Sequence, residues 1–283
     1  MIQSEQKNLA AALEPRYGKR EAELIAALCL EKLSGLRSWQ LRQHPGFQLT
    51  AAQLERLAAY RAQLLAGRPV QYVLEEAWFQ ELPFYVNEAV LIPRPETEEL
   101  VEWVAEACSQ RAANFSVLDV GTGSGCIAIG LARRLPEATV TGCDVSVAAL
   151  AVARCNGESF APSVRWVECN FLDAAARANL PPPDVLVSNP PYIPLAERSS
   201  LEEHVYHYEP ATALFVPDEK PLLFYEAIAA YAREFSKPPD IFMELHAALS
   251  GEVAALFRNS GFGNQELRKD MQGQERMLRV SCD

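Results

Sequence analysis

The sequence predicts an α/β protein in which a mostly parallel sheet carries helices on both faces, preceded by a small helical N-terminal domain. Three observations predict it. From Ser116 onward, short apolar runs alternate with helix-length segments, the pattern of successive βαβ units. The first of those runs ends in Gly121-Thr122-Gly123-Ser124-Gly125 and opens a helix, as a parallel strand does where it binds a ligand at its carboxyl end. Between residues 5 and 66 the apolar residues recur at helical spacing instead.

Composition bounds the reading. The chain has 283 residues, 49% of them hydrophobic, enough for one large or two unequal domains with an ample core. The polar start, Met1 to Lys7, has no apolar leader region. No later run approaches the roughly 20 apolar residues of a membrane span, so a cytoplasmic protein without a membrane partner is expected. Seven cysteines lie scattered without a C-x-x-C pair, which fits reduced, buried thiols rather than a disulfide framework or a zinc site. Charge divides unevenly: residues 1–92 carry 10 Lys+Arg and 10 Asp+Glu, and residues 93–283 carry 16 and 27. An acidic surface repels a phosphate backbone, so no direct nucleic-acid substrate is expected.

Residues 1–67 read as a helical domain. Glu21 to Leu33 places Leu24, Ile25, Leu28 and Leu33 on one side, and Thr50 caps a helix bearing Leu54, Leu57, Leu64 and Leu65. Gly35, Pro45-Gly46 and Gly67 punctuate the helices. Its separate charge character makes it a candidate substrate-docking domain. Residues 68–92 turn to Val70, Tyr72, Val73, Trp78, Phe79, Phe84, Tyr85 and Val86, broken at Leu82-Pro83 and Asn87-Glu88, and predict a β-hairpin linker. Residues 93–283 form the third part. Pro93 and Pro95 hold Arg94 extended before a helix from Glu96 to Ala112. Strands follow over 117–120, 139–144, 164–171, 184–188, 241–245, 264–269 and 276–281, with helices over 126–132, 146–156, 219–235 and 247–259 between them.

The glycine loop points to a nucleotide cofactor, because glycines let the backbone turn tightly and a ligand approach closely. Asp144, about twenty residues on, can accept from two ribose hydroxyls. A dinucleotide fingerprint would need glycine at 126, where this chain has Cys126. Asp119, just before the loop, is unhelpful beside a pyrophosphate and favours a cationic group. Ribose hydroxyls, a positive charge and no phosphate favour S-adenosylmethionine, with a dinucleotide as the competing reading.

Val187-Ser188-Asn189-Pro190-Pro191-Tyr192-Ile193 must end a buried strand, because prolines cannot continue a parallel ladder. It ends on the same edge as the glycine loop, with chemistry to match. An amide or exocyclic amino nitrogen is a poor nucleophile with two N–H donors. The Asn189 side-chain oxygen and the Pro190 carbonyl can accept both, turning the lone pair toward a sulfonium methyl and stabilising the charge that develops. Tyr192 offers a flat wall to the planar group.

Arg68-Pro69-Val70-Gln71-Tyr72, Leu91-Ile92-Pro93-Arg94-Pro95-Glu96-Thr97-Glu98, the Asp119-to-Gly125 loop, Ser188 to Ile193, and Glu209-Pro210 with Ala213-Leu214 resemble the HemK-type protein-(glutamine-N5) methyltransferases. The resemblance implies a seven-stranded, Rossmann-like class I methyltransferase sheet with a small helical domain joined by a β-hairpin. It implies methyl transfer from S-adenosylmethionine, leaving S-adenosylhomocysteine, to the glutamine of the Gly-Gly-Gln motif in peptide chain release factors; a monomer is expected, although the sequence does not give the oligomeric state. It implies that Gly121, Thr122, Gly123, Ser124, Gly125, Asp144, Phe171 and Asn189 contact the cofactor. Asn189, Pro190, Pro191 and Tyr192 would hold the substrate amide, with Asn189, Pro190 and Tyr192 catalytic, and Arg94 and Glu209 would bind substrate. Amino-methylation of adenine or cytosine, which shares the asparagine-proline motif, and an inactive cofactor-binding module are the alternatives. Three positions depart from the family pattern: Glu75 replaces a glycine, Phe171 a common tryptophan, and Phe215-Val216-Pro217 a glycine-containing loop. His204 and His207 read as surface rather than as metal ligands, and Glu244 as a buried structural carboxylate.

Overall fold

Two units make up the computed structural model, which describes residues 2–44 and 46–282. Pro45, read above as part of a helix stop, lies outside the described residues, as do Met1 and Asp283. One unit comprises the residues up to Glu76 together with Glu203–Tyr208, and the other Ala77–Glu202 together with the residues from Glu209 onward.

The first unit holds helices Ile2–Tyr17, Lys19–Ser34, Ser38–Gln43, Ala51–Leu65 and Val70–Leu74. Thr50 caps the fourth: its hydroxyl accepts from Gln53 N, and the Gln53 side chain accepts from Thr50 N at 2.8 Å, a capping box. The core face of Lys19–Ser34 is Ala22, Ile25, Ala26, Cys29 and Leu30, whereas Leu24 and Leu28 are exposed. This corrects the face drawn from the leucines alone: the small Ala22 and Ala26 let neighbouring helices approach, and they set the buried stripe. Leu54 and Leu65 are likewise exposed, with Leu57, Tyr60 and Leu64 buried. Helix Glu203–Tyr208, far along the sequence, clusters with this unit; Tyr208 Oη donates to Ala66 O at 3.1 Å, and Arg16 pairs with Glu203 at 3.3 Å.

The hairpin predicted over 68–92 is shorter, pairing Ala77–Phe79 with Leu82–Phe84. Val70–Leu74 is helical instead, with Tyr72, Val73 and Leu74 buried; core packing outweighs the β preference of these side chains. Glu75 closes that helix at φ 53°, ψ 38°, taking the left-handed conformation for which the family pattern supplies glycine.

Seven strands form one sheet: β1 Phe115–Val120, β2 Ala138–Asp144, β3 Arg165–Glu168, β4 Val185–Ser188, β5 Asp240–Glu244, β6 Asn264–Lys269 and β7 Glu275–Ser281. Their order is β6-β7-β5-β4-β1-β2-β3; β1 to β5 pair in parallel, and β7 alone runs the other way, antiparallel to both β5 and β6. The predicted strand over 164–171 stops at Glu168, and the helix over 219–235 is confined to Leu223–Ala232. The central strands are buried on both faces, as parallel strands covered by helices must be. Val117, Val185, Val187 and Phe242 face a core that includes Leu100, Val104 and Ile127. Leu118, Leu186, Ile241 and Met243 face Tyr225, Ile228, Val253 and Phe257.

The order reverses between β1 and β4: the chain runs β1, β2, β3 outward on one side and resumes with β4 on the other. Pairing of Val120 with Ser188 and of Ser188 with Met243 brings Gly121, Asn189 and Glu244 to one level. Ligands bind outside the carboxyl ends of strands at such a switch point.

Candidate active site

A cavity of about 340 Å³ opens at that switch point. Among the sequence-predicted residues, Arg94, Gly121, Thr122, Gly123, Ser124, Asp144, Phe171, Asn189, Pro190 and Pro191 line it. Gly125, Tyr192 and Glu209 stand behind the lining, and the structure gives each another task.

The glycine loop is built from backbone. Gly121 N and Thr122 N donate to Cys143 O at 2.9 and 3.0 Å, and Gly125 N donates to Thr122 O at 2.8 Å. Gly121, Gly123 and Gly125 take φ of 73°, 54° and 83°, a region that L-residues with a Cβ enter at a cost. Gly125 is constrained twice, because a Cβ there would stand 2.8 Å from the Trp166 ring. It starts helix Cys126–Arg134 rather than contacting the cavity.

Asp119 is fully buried beneath this loop and does not line the cavity. Its Oδ2 accepts from Thr122 Oγ1 at 2.5 Å and Ala128 N at 3.2 Å, and its Oδ1 has no partner among the described residues. Burial pushes the Asp119 carboxyl up to about 7 against the lowering effect of those bonds. The expectation that Asp119 favours a cationic ligand is thereby replaced by a loop-fastening role. Asp144 does face the cavity; Gly123 N and Ser146 N donate to its Oδ2 and Oδ1, each at 2.9 Å. Two backbone donors fix the carboxylate and leave lone pairs for a ligand's hydroxyls. Phe171 is buried, edge-on to Tyr231 at 5.3 Å, with the Arg177 guanidinium 5.4 Å from its ring and Arg177 Nη1 donating to its carbonyl at 3.0 Å.

At the end of β4 the construction is different. Ser188 Oγ donates to Val120 O at 2.7 Å, tying β4 to β1. Asn189 Nδ2 donates to Thr97 Oγ1 at 3.1 Å, and Thr97 Oγ1 donates to Glu244 Oε2 at 2.7 Å. Tyr192 Oη donates to Glu244 Oε1 at 3.1 Å, and its ring meets His246 edge-on at 5.9 Å. Burial holds the Glu244 carboxyl above its ordinary value, opposed by Thr97, Tyr192 and Arg276. Sequence reading found Asn189 and Tyr192 but not their convergence on Glu244, whose only signal was a carboxylate at the end of an apolar strand.

Arg94 reaches the cavity from an extended backbone, φ −105° and ψ 148°, with Pro95 starting helix Pro95–Cys108. Glu209 is buried; its Oε1 pairs with Arg94 Nη2 at 2.5 Å, and its Oε2 accepts from Ile92 N at 3.1 Å. Glu209 therefore meets the cavity only through Arg94. His204 and His207 lie on helix Glu203–Tyr208, and the described residues contain no cluster of three or more metal-ligating side chains. No helix among them is long and apolar enough to cross a membrane.

A glycine loop and a strand-end asparagine at the switch point of a 3-2-1-4-5-7-6 sheet define a methyltransferase, and the family model described as "Methyltransferase small domain" matches residues 97–205. The "PrmC N-terminal domain" model matches residues 6–74. The chain is 38% identical over 284 residues to the release factor glutamine methyltransferase of Flavobacterium psychrophilum, covering 99% of both chains. It is 43% identical over 270 residues to that of Chlorobaculum tepidum, covering 93% of this chain and 90% of the relative. It belongs to the release factor glutamine methyltransferase family. The solved hMettl16 catalytic domain, in complex with the MAT2A 3′UTR hairpin 6, superposes with a TM-score of 0.55 at 15% identity over 83% of this chain and 84% of that one, a likeness of fold alone.

Proposed function

We propose that this chain transfers the methyl group of S-adenosylmethionine to the side-chain amide nitrogen of the glutamine in the Gly-Gly-Gln motif of peptide chain release factors. The observation that carries the reading is the state of the Asn189 amide: its nitrogen is engaged by Thr97, so its oxygen is the group left to accept from a substrate N–H. The cavity suits the cofactor. It offers the Asp144 carboxylate, the exposed apolar Val145 and Leu172, and the buried Phe171, while Arg94 is the one cation among its described lining residues. A glycine loop without a basic residue gives a pyrophosphate no counter-charge, whereas a nucleoside sulfonium needs none.

When bound, S-adenosylmethionine supplies an electrophilic methyl on a sulfonium. Asp144 would hold ribose hydroxyls through its remaining lone pairs. The Asn189 oxygen and the Pro190 carbonyl accept the two hydrogens of the glutamine amide, which directs the nitrogen lone pair at the methyl and stabilises the positive charge that develops. Pro191 walls the amide, and Tyr192 braces that wall from behind. The amide would stay neutral until the methyl leaves the sulfonium and the thioether is released, and would then lose its extra proton to solvent, so no side chain of this chain must first remove it. Arg94, neutralised by Glu209, is oriented toward the substrate's backbone. The helical unit docks the release factor.

A radiolabelled-methyl assay offering a release factor and DNA side by side tests this reading. Label is expected on the release factor alone. Label on DNA favours an amino-methyltransferase of nucleic acid, and cofactor binding without transfer to either favours an inactive binding module.

A further inference from the structure

The carboxamide of Asn189 has two orientations of equal shape, and only one presents an oxygen to the substrate. Helix Pro95–Cys108 and the end of β5 decide between them. Glu244, 2% exposed, accepts at both oxygens: Tyr192 Oη occupies Oε1 and Thr97 Oγ1 occupies Oε2. The single hydroxyl hydrogen of Thr97 is thus committed to the carboxylate. What Thr97 has left to offer Asn189 is a lone pair, so the Asn189 group facing it must be the donor, Nδ2, as observed at 3.1 Å. Without an acceptor at 244, Thr97 could donate to the Asn189 oxygen and turn the amide nitrogen toward the cavity. A donor there would oppose the N–H groups of the substrate.

We infer that Glu244 is a positioning residue for methyl transfer, acting through the Thr97 hydroxyl to orient the Asn189 amide and through the Tyr192 hydroxyl to fix the wall beside it. The inference rests on the reading of Asn189 as the substrate's acceptor. Thr97, Asn189 and Glu244 arrive from different segments of the chain, and the register that pairs Ser188 with Met243 sets Glu244 beside Asn189. Asn189 and Thr97 line the cavity, and Glu244 does not. Its effect on the reaction is therefore indirect.

Glu244→Gln keeps the shape and replaces one acceptor by a donor, so Thr97 or Tyr192 loses its fixed polarity. In the full chain this variant should lower kcat toward a release factor about 10–100-fold, with KM and calorimetric cofactor affinity nearly unchanged. Thr97→Val should do likewise, and Thr97→Ser, which keeps the hydroxyl, should restore most of the rate. A second readout needs no activity: the Asn189 side-chain amide signal in a ¹⁵N spectrum, assigned by its loss in Asn189→Ala, should be protected from hydrogen exchange in the parent chain and exposed in Glu244→Gln. Should the parent chain fail to methylate a release factor, the proposed function falls, and the protection measurement alone decides the positioning role. Unchanged protection in Glu244→Gln overturns the inference. So does a fall in kcat matched by equal losses of cofactor affinity and of thermal stability, because that pattern marks a role in folding only.

Discussion

The two halves of the site lie side by side at the carboxyl edge of the sheet and are built from different materials. The glycine loop is made mainly of backbone: its three glycines hold positive φ, its backbone donors run to Cys143 O on β2 and to Thr122 O within the loop, and the Asp144 and Asp119 carboxylates fasten it. The end of β4 is made of side chains, with Asn189, Thr97, Tyr192 and Glu244 meeting from segments 92, 147 and 52 residues apart. A backbone cradle tolerates any side chain that permits its dihedrals, whereas a side-chain relay depends on each hydrogen being committed in one direction. The loop suits a cofactor held by shape and one carboxylate, and the relay suits a substrate whose two N–H groups must be counted correctly.

Crossed variants break this division most sharply. Asn189→Ala should cut transfer to a release factor by roughly 10²–10³-fold while calorimetry finds cofactor affinity nearly intact. Equal losses in both would mean that the halves are one site. Gly125→Ala asks whether the cradle is purely steric: a Cβ at φ 83°, 2.8 Å from Trp166, should cost about 2–4 kcal/mol in urea unfolding. A stable variant would mean that the loop accommodates side chains. Asp144→Ala should weaken cofactor affinity by about 10–100-fold, as loss of hydrogen bonds to a charged group does, and leave the rate at saturating cofactor largely preserved.

The smallest effect lies beneath the loop. The Asp119 carboxyl, ordinarily 3.8, is raised to about 7 in the folded chain, so the folded state retains a proton that the unfolded chain releases. Its contribution to stability is then full below about pH 4 and is lost as pH rises through about 7. Urea midpoints measured across that window should show a steeper decline for the parent chain than for Asp119→Asn, which carries no titrating group. Parallel curves would remove Asp119 from the account.

The same contrast explains what the sequence made legible. The loop could be read from five consecutive residues and Asp144, because positive φ and strand endings are local properties with local signatures. Strand alternation likewise disclosed the seven-stranded sheet. Asn189 stood out because two prolines after an apolar run must stop a strand. Its orientation did not, since the bond to Thr97 and the carboxylate of Glu244 exist only once β4 and β5 pair in register. Val70–Leu74 misled for a related reason: its β-branched and aromatic side chains serve a helix whose buried face only the packed helical unit reveals. The motif residues Tyr192 and Glu209 carry no local sign of whether they face a cavity or brace one, and only the fold shows them outside the lining, bonded to Glu244 and Arg94.

The central claim is that the Asn189 end of the sheet presents a protein glutamine amide to the methyl donor. Its most direct test is tandem mass spectrometry of the Gly-Gly-Gln peptide from a release factor incubated with this protein and S-adenosylmethionine. The account predicts one added methyl, localised to the side-chain nitrogen of that glutamine and absent with Asn189→Ala. An unmodified glutamine, or a methyl on another residue of the peptide, would contradict it.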